Sequence, residues 1–492
     1  MPTNVRKACV IGSGPNGLAA AIVLAQAGLK VEVFEAEAIP GGACRTLELT
    51  LPGFRHDFGS AVHPLAASSP FFSTLPLGKF GLEWIHPPAP LAHPFDDGTA
   101  VVLERDLHDA ERALGEDGFR WVALMRPFVE HWNELAPAVL GPPIRFPRHP
   151  FLMAHFGLHA TSSALGVSRR FHSQRTRALF AGLAAHSFLA LDEVLTGVFG
   201  LMMAIPAHAV GWPIPRGGSQ ALTNALCRYL ASLGGAVKTS ARVERLSDLP
   251  AYDLILSDVT PRQLLRMAPG ELSTAFKQKL DEFAYGPGAF KVDYALSAPV
   301  PWRAAACRRT ATVHLGGTFE EIARSEKAVR KGEQAHQPFI LFVQPSLWDS
   351  SRAPDGKHTA WTYCHVPNGS TLDMLPTIEA QIERFAPGFR ECVLARRVLS
   401  PADLESMDGN LVGGDLQGGL FDIGHFLFRP TRKHYATSNP KIYLCSASTP
   451  PGGGVHGMCG YHAATTALRK LGWKRESLEG APPEHAAQRH IL

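Results

Sequence analysis

VIGSGPNG, residues 10–17, sets glycines at 12, 14 and 17 directly after an apolar run, Ala8 to Ile11, and directly before a helix-like run that begins at Leu18. That order predicts strand, tight turn and helix. Gly12 permits the turn, Gly14 lets the backbone approach a pyrophosphate, and Gly17 lets helix and strand pack closely, while the helix N-terminus offers partial positive charge. A second strand, Val31-Glu-Val-Phe-Glu, ends at Glu35, eighteen residues beyond Gly17. An acid at that place accepts the hydroxyls of an adenosine ribose. The unit predicts a dinucleotide site, for NAD, NADP or FAD.

The next element narrows the choice. Pro40-Gly-Gly-Ala-Cys-Arg-Thr46 puts Gly41, Gly42 and Arg45 just past the acidic strand end. Backbone amides at the two glycines can face a diphosphate, and Arg45 can add charge-assisted bonds, although a surface turn with a solvated arginine would have the same sequence. The element resembles the second glycine-rich element of the flavoprotein superfamily that holds amine oxidases, phytoene desaturases and carotenoid isomerases. The resemblance implies FAD.

Two later segments extend it. After Trp212-Pro-Ile-Pro-Arg-Gly-Gly-Ser-Gln220 come a helical pattern over 221–233, two short predicted strands at 236–239 and 241–246, and a third, 253–258, that stops at Pro261. The resemblance places the adenine against backbone near Val243. At the C-terminus, a strand from Ile442 leads into Ser448-Thr-Pro-Pro-Gly-Gly-Gly-Val-His-Gly-Met-Cys-Gly460 and a further helix. In the family this loop lies over the flavin, which implies that Gly454, Val455, His456 and Gly457 border its ring.

The implied architecture is α/β: a Rossmann-like FAD-binding domain assembled from three chain segments, 1–74, 212–284 and 426–475. A mixed α+β substrate domain fills the gaps, with a helical, lid-forming part at 75–211 and a sheet part at 285–425, and 476–492 is a tail. FAD is expected to be non-covalent, because related cysteine-linked amine oxidases attach it just before the final strand, and no cysteine lies between Cys392 and Cys445. No second G-x-G-x-x-G directly follows a strand, so NAD(P)H is not expected and the electron acceptor is oxygen or a quinone.

Composition sets wider bounds. The 492 residues are 45% hydrophobic and 19% charged, as in ordinary soluble globular proteins, and a net charge of +4 is too small to point to nucleic acid. Eight cysteines without a C-x-x-C predict reduced thiols and a cytoplasmic setting, and a first strand within ten residues of Met1 leaves no room for a signal peptide. His155 and His159 have i, i+4 spacing but no partner motif, so no metal is expected. Residues 194–212 carry no charge over nineteen positions, yet Pro206 and His208 interrupt them. A buried helix or a cavity wall is predicted there, not a membrane span. Residues 135–191 contain six arginines, several phenylalanines and no acid. This stretch either rests on anionic headgroups or forms a solvated lid whose arginines meet acids from elsewhere.

Candidate chemistry falls on three residues. Lys291, on a predicted alternating strand, matches the lysine that amine oxidases bond through water to flavin N5, or else it points to solvent. His63 follows the element that passes the flavin in the family, and His456 sits in the C-terminal loop; either is a candidate base or a structural histidine. Trp361, Tyr363 and His365 alternate on one predicted strand face, to line a cavity or pack a core. The aromatic cage of amine oxidases is incomplete, since Val455 stands at one of its positions. The leading expectation is therefore a desaturase or oxidase acting on an apolar isoprenoid, carotenoid or lipid. Alternatives are a redox-neutral isomerase, an amine oxidase, or a non-catalytic flavoprotein scaffold. Peripheral contact with a membrane's inner face and the oligomeric state are left open.

Overall fold

The computed structural model describes residues 6–144 and 146–473. The tail expected at 476–492 lies outside them. The quoted stretch folds as read, with strand Lys7–Ile11, a turn, and helix Pro15–Gln26. Lys7–Ile11 pairs in parallel with Lys30–Phe34 on one side and with Leu254–Ser257 on the other. Strands Ala236–Lys238 and Ile442–Leu444 complete a parallel sheet of five strands drawn from three distant segments. Parallel strands are buried on both faces. Ala8 and Val10 join a core with Leu18, Ile22, Leu226 and Leu468, whereas Cys9 and Ile11 join Leu264, Phe276 and Leu280 on the opposite face.

One predicted strand is absent. Residues 241–246 form no strand, because Ser240 adopts a left-handed φ of 52° immediately after Ala236–Lys238 and turns the chain aside. Val243 therefore lies in a loop, tied to the sheet by the Ala241 N–H, which donates to the Glu35 carbonyl at 2.8 Å.

The second layer is a seven-stranded sheet. Five strands come from 288–399, and two, Ala89–Pro94 and Ala100–Leu103, come from the segment expected to be helical. Lys291 sits on Gly288–Leu296, which runs antiparallel to His358–Val366 on one side and Val393–Leu399 on the other. Every residue of that strand is buried, so the expected in-out alternation does not occur.

The uncharged segment forms helix Thr196–Ala209, with Pro206 inside it. Among the described residues, no helix is long and apolar enough to cross a membrane. In the acid-free stretch, Arg175 pairs with Asp97 and Arg177 with Glu320, while Phe146 and Phe151 on the same stretch stay 90% exposed.

Where the two layers meet, Arg352 and Asp57 form an ion pair at 2.6 Å with both side chains fully buried. Burial alone would raise the Asp57 carboxyl, but the Arg352 guanidinium and the Ser219 N–H outweigh it and hold the group below its ordinary value. Removing one partner of such a pair strands the other charge in the interior. Arg352→Met is expected to lose about 3–5 kcal/mol at pH 7, measured by urea unfolding. Because the native carboxyl value is depressed, the wild-type advantage is present above the ordinary carboxylate range, so the gap narrows as pH falls through it.

Candidate active site

The loop after the first strand is closed by contact rather than by composition. Gly12 has φ 94°, and a Cβ on Gly17 would lie 2.1 Å from the Gly12 carbonyl oxygen. No other residue permits helix and strand to approach this closely. The groups around the loop are short of room as well. Asp258, at the end of Leu254–Ser257, accepts the Gly17 N–H at 2.8 Å and donates its own N–H to Ile11 at 2.7 Å. Burial pushes its carboxyl up to about 8, against the pull of the Gly17 N–H. A carboxyl that is largely neutral at pH 7 leaves the positive end of the helix for another anion.

Glu35 is buried at the end of its strand, and the loop already uses it. One oxygen accepts from Ser13 N at 2.9 Å and Ser13 Oγ at 2.5 Å, and the other accepts from Glu37 N at 2.9 Å. A carboxylate has about four acceptor positions, so one is open to a ribose hydroxyl and a second hydroxyl must displace Ser13 Oγ. Gly41 does not face the cavity, because its N–H donates to Ser13 Oγ at 3.1 Å. Gly42 does line it, as does Arg45. The Arg45 guanidinium is also committed to the Gly42 and Met407 carbonyls, at 2.8 and 2.7 Å.

Gly12, Gly14, Glu35, Gly42, Arg45, Val243, Gly454, Val455 and His456 border one cavity of about 610 Å³. Gly457 is not among them. Its missing Cβ is required by Phe72, whose ring would stand 2.4 Å away, so this glycine serves packing at the start of helix Met458–Lys470. The cradle fits a dinucleotide: Gly12 and Gly14 open it, a helix start faces it, and the buried Asn16 Oδ1 beside it has no partner among the described residues.

The same cavity reaches Lys291, His63 and His456. Lys291 does not point to solvent. Its ammonium lies 2.5 and 2.6 Å from the two Asp293 carboxylate oxygens and 5.4 Å over the Trp361 ring. Burial pushes Asp293 up to about 6, with the Lys291 charge opposing it. His63 shares a 2.8 Å hydrogen bond between Nε2 and Ser219 Oγ, and His456 Nδ1 accepts the Met458 N–H at 3.0 Å. Burial lowers both imidazoles to about 4, so both are neutral at pH 7.

Beyond them the walls turn apolar, with Phe199, Met202, Met203, Phe421 and Phe426. Trp361 and Tyr363 stack at 5.8 Å and line this chamber. His365 does not. It lies against Phe188 at 3.8 Å and bonds Glu326 at 2.6 Å. Metal-ligating clusters are absent among the described residues, and His155 and His159 pack on Phe128. Sequence reading missed Asp258 as a closing group, the Asp293 partner of Lys291, and His186, which lines the cavity 3.2 Å from His314. Only Asp293 carried a local signal, two residues from Lys291 on a strand and hence on its face.

Known proteins share the sequence pattern and the fold. Residues 10–74 match the NAD(P)-binding Rossmann-like domain. A phytoene desaturase (lycopene-forming) from Pseudescherichia vulneris is 26% identical over 94% of this chain and 99% of its own. End to end, the chain is similar to phytoene desaturases. It is also 25% identical to the pyridine nucleotide-disulfide oxidoreductase domain-containing protein 2 of Rattus norvegicus, over 94% of this chain and 93% of that one. Putrescine oxidase, solved with putrescine bound, shares the fold at a TM-score of 0.60 and 16% identity, over 96% of this chain and 100% of that one.

Glu35→Ala removes the open acceptor position and also frees Ser13 and Glu37. FAD affinity is expected to fall about ten- to a hundredfold, or roughly 1.5–3 kcal/mol, in a fluorescence titration of apoprotein. An unchanged dissociation constant would take Glu35 out of the cradle.

Proposed function

We propose that the protein is an FAD-dependent oxidoreductase that removes hydrogen from a C–H bond of an apolar organic molecule such as an isoprenoid, carotenoid or lipid. One observation carries this reading: the dinucleotide cradle and the aromatic, methionine-lined chamber are two ends of the same cavity, with Lys291, His63 and His456 on its wall. Full-length similarity to phytoene desaturases supports it.

Gly12, Gly14, Glu35, Gly42 and Arg45 would hold the adenosine diphosphate half, with Val243 near the adenine, and Gly454 and Val455 would border the ring. Bound there, FAD supplies a two-electron acceptor for the departing hydrogen. The protein supplies position and protons. Lys291, held in place by Asp293, keeps a cation at the cavity wall; His456 already spends its Nδ1 lone pair on the Met458 N–H, so the neutral imidazole that can take the second proton released by double-bond formation is His63. Oxygen or a quinone takes the electrons onward.

Attachment is non-covalent. Cys44 is the cysteine that lines the cavity, and burial pushes its thiol far above the ordinary value, away from the reactive thiolate. Acid precipitation is expected to release all the FAD, and colour left in the pellet would contradict this. Anaerobic mixing of holoenzyme with extracted apolar lipids is expected to bleach the flavin absorbance. Lys291→Met should keep its FAD and slow that bleaching at least about tenfold. Bleaching by small amines alone would favour the amine oxidase reading, and no bleaching with any fraction would refute the desaturase and oxidase reading.

The route to the chamber lies at a membrane surface. Val139 and Leu140 line the cavity, and the chain runs directly from them into exposed Ile144, Phe146, Phe151 and Leu158. Arg169 and Arg170, nearby in sequence and exposed, belong to the same acid-free stretch. Cosedimentation with anionic liposomes should exceed that with neutral ones and fall as salt rises, since exposed charges are screened within about 8 Å at physiological ionic strength. Equal binding to both, or binding to neither, would leave a solvated lid.

A further inference from the structure

A histidine that the reaction above does not use lines the cavity. His186 lines the cavity on a short 3-10 turn, Ala185–Ser187, and its Nε2 lies 3.2 Å from Nε2 of His314 on strand Thr310–Leu315. Trp212 packs 6.0 Å from both rings. Burial pushes His186 down to about 3 and His314 well below its ordinary value, so each ring carries a single proton at pH 7. Two facing Nε2 atoms can bond only if one donates and the other accepts.

The outer nitrogens decide which. His314 Nδ1 is sealed from solvent with no partner among the described residues, and a Cβ on Gly182 would lie 2.7 Å from it, so that side offers space but no acceptor. If His186 were the donor, His314 would carry its proton on that sealed nitrogen, and a buried N–H without an acceptor is the costlier orphan. The favoured arrangement has His314 Nε2–H donating to His186 Nε2. The His186 proton then sits on Nδ1. That atom takes no bond from the described residues and is not among the sealed polar atoms, so it opens on the cavity.

We propose that His186 presents an Nδ1–H donor to a carbonyl or hydroxyl oxygen on an otherwise apolar substrate, so that the ligand is an oxygenated lipid or isoprenoid and not a plain hydrocarbon. This rests on the apolar-substrate reading and specifies its polar end. A hydrocarbon would press carbon against the donor and leave it unpaired, whereas an oxygen there completes the chain from His314 through His186 to the ligand.

The test measures headspace partition of two volatile probes of equal length, 2-undecanone and undecane, over FAD-loaded wild type, His186→Leu and His186→Asn. The leucine variant removes the donor, whereas asparagine places an amide N–H close to the position of Nδ1. The ketone's affinity is expected to fall at least tenfold in His186→Leu, equivalent to 1.4 kcal/mol, and to be largely restored in His186→Asn. Undecane should bind His186→Leu at least as well as wild type, because the donor it would leave unpaired is gone, which also shows that the cavity is intact. Loss of both probes together in His186→Leu, or of neither, would overturn the proposal. If the wild type binds neither probe, the apolar-substrate reading falls and takes this inference with it.

Discussion

Asp57 is where the distant parts of the chain are tied to one another. Its buried carboxylate accepts from Thr46 Oγ1 at 2.7 Å and from Ser219 N at 2.8 Å, and it pairs with Arg352 at 2.6 Å. Those three partners belong to the short strand Thr46–Glu48, which pairs with Arg55–Asp57, to the start of helix Gln220–Ser232, and to the 3-10 turn Ser350–Arg352. Ser219 then bonds His63, so the same carboxylate fixes one wall of the cavity. A charge this deep is tolerable only when it is paired and hydrogen-bonded, and both conditions hold here. The two sheets are thereby held in one relative position, which is what a site shared between them requires.

Much of the cradle could be read from sequence because its causes are local. Gly12, Gly14 and Gly17 act within one turn, and Glu35 follows from the length of a single strand-helix-strand unit. The misreadings have equally specific causes. Strand Ala89–Pro94 was hidden by prolines at 87, 88, 90 and 94, which argue against a sheet interior. The strand expected at Val243 fails because one left-handed serine redirects the backbone, and nothing in the residues after it signals the turn. Gly457 looks like a ring contact in the loop, yet its requirement comes from Phe72, which is remote in sequence. Asp258 and the His186–His314 pair depend on register between elements far apart in the chain, which no local spacing encodes.

The cavity joins two demands that are met by different means. At one end a helix start lies beside glycines that cannot be replaced without collision. At the other, Phe199, Met202 and Met203 from a helix without charges face Trp361 and Tyr363 from the second sheet. Lys291 lies over the Trp361 ring on the cavity wall, and its pairing with Asp293 keeps a cation where an unpaired one would be costly. The arrangement suits a long apolar molecule with one reacting bond placed near the boundary.

That claim is tested most directly by the mass of the product. Holoenzyme carrying oxidised FAD is incubated without oxygen with a fraction of apolar lipids, and the consumed and formed species are identified by mass spectrometry in a single turnover. One product two hydrogens lighter than its precursor is expected, in an amount equal to the flavin bleached. A product of unchanged mass, formed without bleaching, would contradict it and make the protein an isomerase.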